Sequence, residues 1–90
     1  MKVSLETPSV FRRYTGNETR FQMEGTTIGE VIDSFVNKFP ETRRIFLDRD
    51  GDILHSYNVF LNGENVYPLR KETPVNDGDS LALIMIINGG

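Results

Sequence analysis

The 90-residue chain predicts an α+β domain, a mixed sheet with one main helix packed on one face. Three observations carry that expectation. Short stretches near both ends alternate polar and apolar residues with period two, one intervening stretch repeats its apolar residues at helical spacing, and an apolar, β-branched run lies near the C-terminus. With 38% apolar residues a chain of this length buries enough surface for one core, so residues 1–90 are expected to form a single domain.

The first strand is Lys2-Val3-Ser4-Leu5-Glu6, which alternates until Pro8 stops a central strand from continuing. After Thr15-Gly16-Asn17 a second alternating run, Thr19-Arg20-Phe21-Gln22-Met23, ends at Gly25, and the two predict an antiparallel hairpin with a longer loop. Val10, Phe11 and Tyr14 are expected to pack beneath that loop. Thr27 and Glu30 have the spacing of a capping box, and Ile28, Val31, Ile32, Phe35, Val36 and Phe39 then recur with helical period until Pro40. These aromatics are read as core, with no ligand assigned to them.

Residues 41–54 mix Arg43, Arg44 and Arg49 with Asp48, Asp50 and Asp52 around an Asp50-Gly51 turn, and read as a solvated loop. Tyr57-Asn58-Val59-Phe60-Leu61 resumes period two. Asn62-Gly63 favours a type I′ hairpin that returns through Asn65-Val66-Tyr67. Thr73-Pro74-Val75 leads to the turn Asn76-Asp77-Gly78-Asp79, whose glycine supplies a positive φ, and then to the apolar run Leu81 to Ile87. A run apolar on both faces belongs in the middle of a sheet, so this strand is placed centrally and parallel to the first. The resulting order of two strands, helix and three strands is that of the β-grasp. Plant-type ferredoxins share that architecture but need four cysteine ligands, and this chain has no cysteine.

The same absence removes disulfides, thiolate metal sites and cysteine nucleophiles. Ten basic against thirteen acidic residues, a net charge of −3, disfavour a phosphate-tracking surface, so nucleic acid is not an expected partner. The N-terminus lacks the apolar run of a signal peptide and no stretch approaches membrane-spanning length, which predicts a soluble, cytoplasmic protein without a membrane partner. His55 is the single imidazole and reads as a surface residue; no metal site and no catalytic set are assigned, so the chain is not expected to be an enzyme.

The candidate chemistry lies at the end, where the last strand passes through Asn88 into Gly89-Gly90. A frayed terminus is the plain alternative. Two residues without a Cβ make the narrowest and most permissive tail a peptide can have, and residues 88–90 are expected to form a flexible one that can thread a partner's tunnel. A partner could then activate the main-chain carboxylate of Gly90 with ATP as a mixed anhydride, open to displacement by a sulfur, thiol or amine nucleophile.

The order of elements, the Asn76-Asp77-Gly78-Asp79 turn, the apolar strand after it and the terminal Gly89-Gly90 resemble the MoaD/ThiS family of ubiquitin-like sulfur carriers over essentially the whole chain. Tyr57-Asn58-Val59-Phe60-Leu61-Asn62 and the acidic loop before it resemble the cysteine-biosynthetic branch more than the shorter thiazole carriers. The resemblance implies adenylation of Gly90 by a ubiquitin-activating-enzyme-like adenylyltransferase and conversion to a thiocarboxylate. Sulfur then passes to a downstream sulfur-accepting enzyme, in cysteine, molybdopterin or thiamine synthesis or in tRNA thiolation. No cofactor is bound by the carrier, since ATP is used by the activating enzyme. Asp77-Gly78-Asp79 corresponds to the family's acidic turn and is read as structural.

Family members also dock through an apolar patch on the open sheet face. If Leu81, Leu83 and Met85 face the helix, period two turns Ala82, Ile84 and Ile86 outward. It also points Tyr57, Val59 and Leu61 inward and leaves Phe60 on the open face, so Phe60, Ile84 and Ile86 form the expected partner-binding patch. Two alternatives stand beside the carrier: a modifier conjugated to lysines through Gly90, and a passive interaction domain that does not need Gly90.

Overall fold

Alternation near the N-terminus produces a hairpin whose two faces differ in chemistry. In the computed structural model, which describes residues 1–86, β1 (Lys2–Glu6) and β2 (Arg20–Glu24) pair antiparallel, with Val3 opposite Met23 and Leu5 opposite Phe21. These four side chains are buried, while Lys2, Glu6, Arg20, Gln22 and Glu24 are exposed on the other face. The connecting loop contains a 3-10 turn, Ser9–Tyr14, that sends Phe11 fully into the core. Val10 is 53% exposed, contrary to expectation, because one tight turn aims successive side chains in different directions and only one of the pair reaches the interior.

The main helix, α1 (Ile28–Lys38), buries Ile28, Val31, Ile32, Phe35 and Val36 against the sheet, and Phe39 packs at its end. Each fully buried apolar side chain contributes roughly 1.5–3 kcal/mol. Thr27 caps the helix by accepting the Glu30 N–H at 3.1 Å, as the spacing predicts. The returning half of the box is displaced by one residue: the Glu30 carboxylate accepts the N–H and the hydroxyl of Thr26, at 2.8 and 2.7 Å. Two further N–H groups at the helix start, those of Ile28 and Gly29, donate to the carbonyls of Thr73 and Lys71 at 2.9 and 2.8 Å. A Cβ at Gly29 would lie 2.9 Å from the Lys71 Cβ, so the close approach of this strap requires glycine.

Residues 41–54 are not simply a solvated loop. Pro40–Thr42 forms a 3-10 turn that continues into a short helix, α2 (Arg43–Phe46), and Thr42, Phe46 and Leu47 are buried. The Phe46 ring lies 5.5 Å from that of Phe11 and 6.3 Å from that of Tyr57, while the arginines and aspartates remain outside. The Tyr57 hydroxyl donates to the Ile45 carbonyl at 3.1 Å and fixes α2 to the sheet.

The second hairpin joins β3 (Tyr57–Leu61) to β4 (Glu64–Asn65), with φ of +51° at Asn62 and +85° at Gly63 as a primed turn demands. Its return is shorter than the expected Asn65-Val66-Tyr67. Val66 still donates to the Val59 carbonyl at 2.9 Å, but Tyr67 is 84% exposed and Pro68 has no N–H to extend the ladder. β5 (Ser80–Met85) completes the sheet, which among the described residues runs β2-β1-β5-β3-β4. β5 is parallel to β1 and antiparallel to β3, central as expected.

The turn Asn76-Asp77-Gly78-Asp79 stitches three strands together. Asp77 accepts the Lys2 N–H at 2.8 Å, Gly78 donates to the Lys2 carbonyl at 2.9 Å, and Ser4 donates to the Asp79 carbonyl at 2.9 Å. The Asp79 carboxylate accepts the Asn76 N–H at 2.8 Å and the Asn62 amide at 3.1 Å, and these bonds hold it below the usual aspartate range, the backbone bond first. Among the described residues no helix is long and apolar enough to cross a membrane.

Candidate functional site

Because β5 is hydrogen-bonded on both edges, its side chains can leave the sheet only through the two faces. Leu81 and Leu83 enter the core at 1% and 5% exposure, whereas Ile84 is 44% exposed on the open side. Ile86, just past the strand, is 40% exposed, and its N–H donates to the Ser56 carbonyl at 2.7 Å. Burial within the described chain therefore accounts for Leu81 and Leu83, with Met85 packed partly against the core, and leaves Ile84 and Ile86 facing outward.

The strand register places Phe60 opposite Ala82 and Asn58 opposite Ile84, which makes Phe60 and Ile84 diagonal neighbours on one face. They line a shallow depression with Ser4, Ser80 and Ala82, whose small side chains create the hollow between larger ones. Glu6 and Arg20, an ion pair at 3.7 Å, form its polar rim. Ile86 does not line the depression and instead extends the apolar row toward the end of the chain.

Alternation placed Ala82 on this face, but the rest of the small floor, Ser4 and Ser80, and the ion-paired rim were absent from the expected patch. Both follow from register: Glu6 opposite Arg20 and Ser4 opposite Ser80 become neighbours once β1 lies between β2 and β5. Asn88, Gly89 and Gly90 lie outside the described residues. The geometry brings the chain to them along β5, which stays tied to the sheet through Met85 opposite Tyr57 and through the Ile86 N–H. His55 is exposed, and among the described residues no three metal-capable side chains gather.

A mixed sheet in this order, covered on one face by a single long helix and open on the other, is the β-grasp of ubiquitin-like proteins. The chain belongs to the ThiS family, which it matches over residues 8–90. It is 36% identical over 76 residues to ubiquitin-related modifier 1 of Encephalitozoon cuniculi, covering 80% of this chain and 79% of that protein. It is also 26% identical over 93 residues to the sulfur carrier protein CysO of Mycobacterium tuberculosis, covering 100% of both chains. Among solved structures, a chain of the Amycolatopsis orientalis BexX/CysO complex superimposes with a TM-score of 0.85 at 27% identity, over 98% of this chain and 99% of that one.

Proposed function

We propose that this protein is a cytoplasmic sulfur carrier whose reacting group is the Gly90 carboxylate. The observation that carries the reading is ThiS family membership over a span that includes Gly89 and Gly90, in a chain with no cysteine to hold sulfur itself. An oxygen of the carboxylate attacks the α-phosphorus of ATP on a ubiquitin-activating-enzyme-like adenylyltransferase, and pyrophosphate leaves. A sulfide sulfur then forms the new bond to the acyl carbon, and AMP departs with the electron pair of the broken C–O bond. The product is a terminal thiocarboxylate, which passes its sulfur to a substrate held by a downstream enzyme.

The carrier contributes no catalytic side chain to these steps. Its part is to offer the Asn88-Gly89-Gly90 tail, slim enough to reach a buried active site, and to dock through the open face at Phe60, Ile84 and Ile86. The outward isoleucines, unburied by their own chain, support that docking role. A relative that has been crystallised in a complex with BexX supports the expectation of a partner protein.

A second reading, conjugation of Gly90 to lysines of other proteins, is favoured by the 36% identity to a ubiquitin-related modifier. Sulfur and amine nucleophiles attack the same acyl adenylate, so both readings require the first step. That step is tested by ATP–pyrophosphate exchange with the organism's own adenylyltransferase of this class. We predict that appending one residue after Gly90 abolishes exchange; undiminished exchange would mean that the terminal carboxylate is not the reacting group.

A further inference from the structure

β2 is the terminal strand of the sheet on the side away from β4, so one of its edges pairs with β1 and the other has no strand beside it among the described residues. Backbone bonds at the two ends of the β1–β2 ladder decide which groups face that free edge. Thr7 donates to the Thr19 carbonyl at 2.8 Å and Gly25 donates to the Met1 carbonyl at 3.1 Å, so the odd-numbered residues of the strand turn their N–H and C=O groups toward β1. Arg20, Gln22 and Glu24 turn theirs outward. Ser34 of α1 donates to the Glu24 carbonyl at 2.8 Å, which leaves that oxygen a second lone pair. The side chains of Arg20, Gln22 and Glu24 are exposed on the open face of the sheet, while Phe21 and Met23 are buried on the other.

Charged residues on an edge strand ordinarily repel a second strand, but here the charge changes sign about Gln22. We infer that two copies of this chain join edge to edge through β2, antiparallel and centred on Gln22, as a two-fold symmetric dimer. The outward N–H and C=O groups of Gln22 then bond to those of its symmetry mate, and Arg20 of each copy stands opposite Glu24 of the other. The register inside each chain extends the match: Lys2 lies opposite Glu24 and Glu6 opposite Arg20. The row across the junction reads Lys2, Glu24, then Arg20 and Glu6 of the second copy, alternating in sign throughout. Phe21 meets Met23 of the second copy on the other face, so neither face sets a charge against an apolar group. Moving the centre to Phe21 would set Glu24 against Glu18, which fixes the register.

The charges are free to serve this contact. The Arg20 side chain is 78% exposed and meets Glu6 only at 3.7 Å, and the Glu24 side chain, paired with the Met1 amine at 3.2 Å, is 67% exposed. A guanidinium has donors for two carboxylates at once. The dimer makes one continuous sheet of both copies, with Phe60 and Ile84 uncovered in each. Two-fold symmetry runs the two β5 strands in opposite directions, so the chain ends leave from opposite sides and neither blocks the other. A strand of five residues forms a small interface, which sets the dissociation constant between about 10 µM and 1 mM.

The test is the mass of the full chain by sedimentation equilibrium in about 0.15 M salt, over about 10 µM to 1 mM protein. The wild type should pass from monomer to dimer, and the Gln22 amide should exchange with solvent more slowly as the dimer forms. R20E and E24R each set like charges across the junction, and each alone should weaken the dimer by about tenfold or more. An equal mixture of the two variants should recover it, because the mixed pair again sets an acid opposite a base at both sites. A wild type that stays monomeric at about 1 mM would overturn the inference. So would a dimer indifferent to both substitutions, or one lost in both and not regained on mixing. A dimer abolished by Ile84→Asp yet untouched by R20E would move the contact to the apolar patch and overturn it as well.

Discussion

At the scale of single residues, the acidic turn shows how a side chain can be fixed in role by its hydrogen bonds while remaining in solvent. Asp79 accepts from the Asn76 backbone and the Asn62 side chain, and Glu30 accepts from the Thr26 backbone and hydroxyl; both carboxyls are held below their usual range by these bonds. A depressed folded-state pKa means that the unfolded chain binds the proton first. The stabilisation is therefore complete above about pH 5, where aspartate and glutamate of the unfolded chain are ionised, and is lost as pH falls through the lowered folded-state values. We predict that the melting temperature of the wild-type protein declines below about pH 5, and that Asp79→Asn shows a shallower decline in thermal melts from pH 7 to 2. Parallel curves would show that the turn draws nothing from this carboxylate's ionisation. The turn was legible because Asn76-Asp77-Gly78-Asp79 encodes its own backbone geometry; the tie to Asn62 was not, because it depends on where the second hairpin lies.

At the scale of elements, the sequence spoke clearly wherever an element was long enough to repeat its pattern. α1 repeats its apolar stripe over three turns, β1, β2 and β3 alternate over five residues, and β5 is apolar on both faces, so their positions and the central place of β5 could be read directly. α2 has four residues, fewer than two turns, and its buried Phe46 sits among arginines and aspartates whose charge suggested open solvent. Val10 erred in the opposite sense, an apolar residue left outside because its neighbour Phe11 took the inward position. Phe46 is 1% exposed, and its ring meets Phe11, Phe35 and Tyr57, so α2 belongs to the core. We predict that Phe46→Ala costs about 3–5 kcal/mol in urea unfolding at pH 7, a large share of a small domain's stability. Val10→Ala should stay within about 0.5 kcal/mol of wild type. A Phe46→Ala protein as stable as Val10→Ala would show that α2 is peripheral to folding.

At the scale of the whole molecule, the sheet separates two tasks. One face is closed by α1 and carries the core; the other presents Phe60 and Ile84 over a floor of small residues, with a Glu6–Arg20 rim. β5 belongs to both, since Leu81 and Leu83 hold it in the core while Ile84 and Ile86 remain outside and the chain runs on toward Gly90. The patch could be read from alternation because period two assigns faces without knowledge of tertiary structure. The serines of its floor and the ion-paired rim could not, because Ser4, Arg20 and Ser80 meet only through the β2-β1-β5 order. The most direct test is the intact mass of the protein purified from its own cells under reducing, non-hydrolysing conditions, with fragmentation to locate any change. We predict a fraction in which one oxygen at Gly90 is replaced by sulfur. A Gly90 carboxylate that is unmodified in cells and inert to ATP-dependent activation would contradict the carrier function.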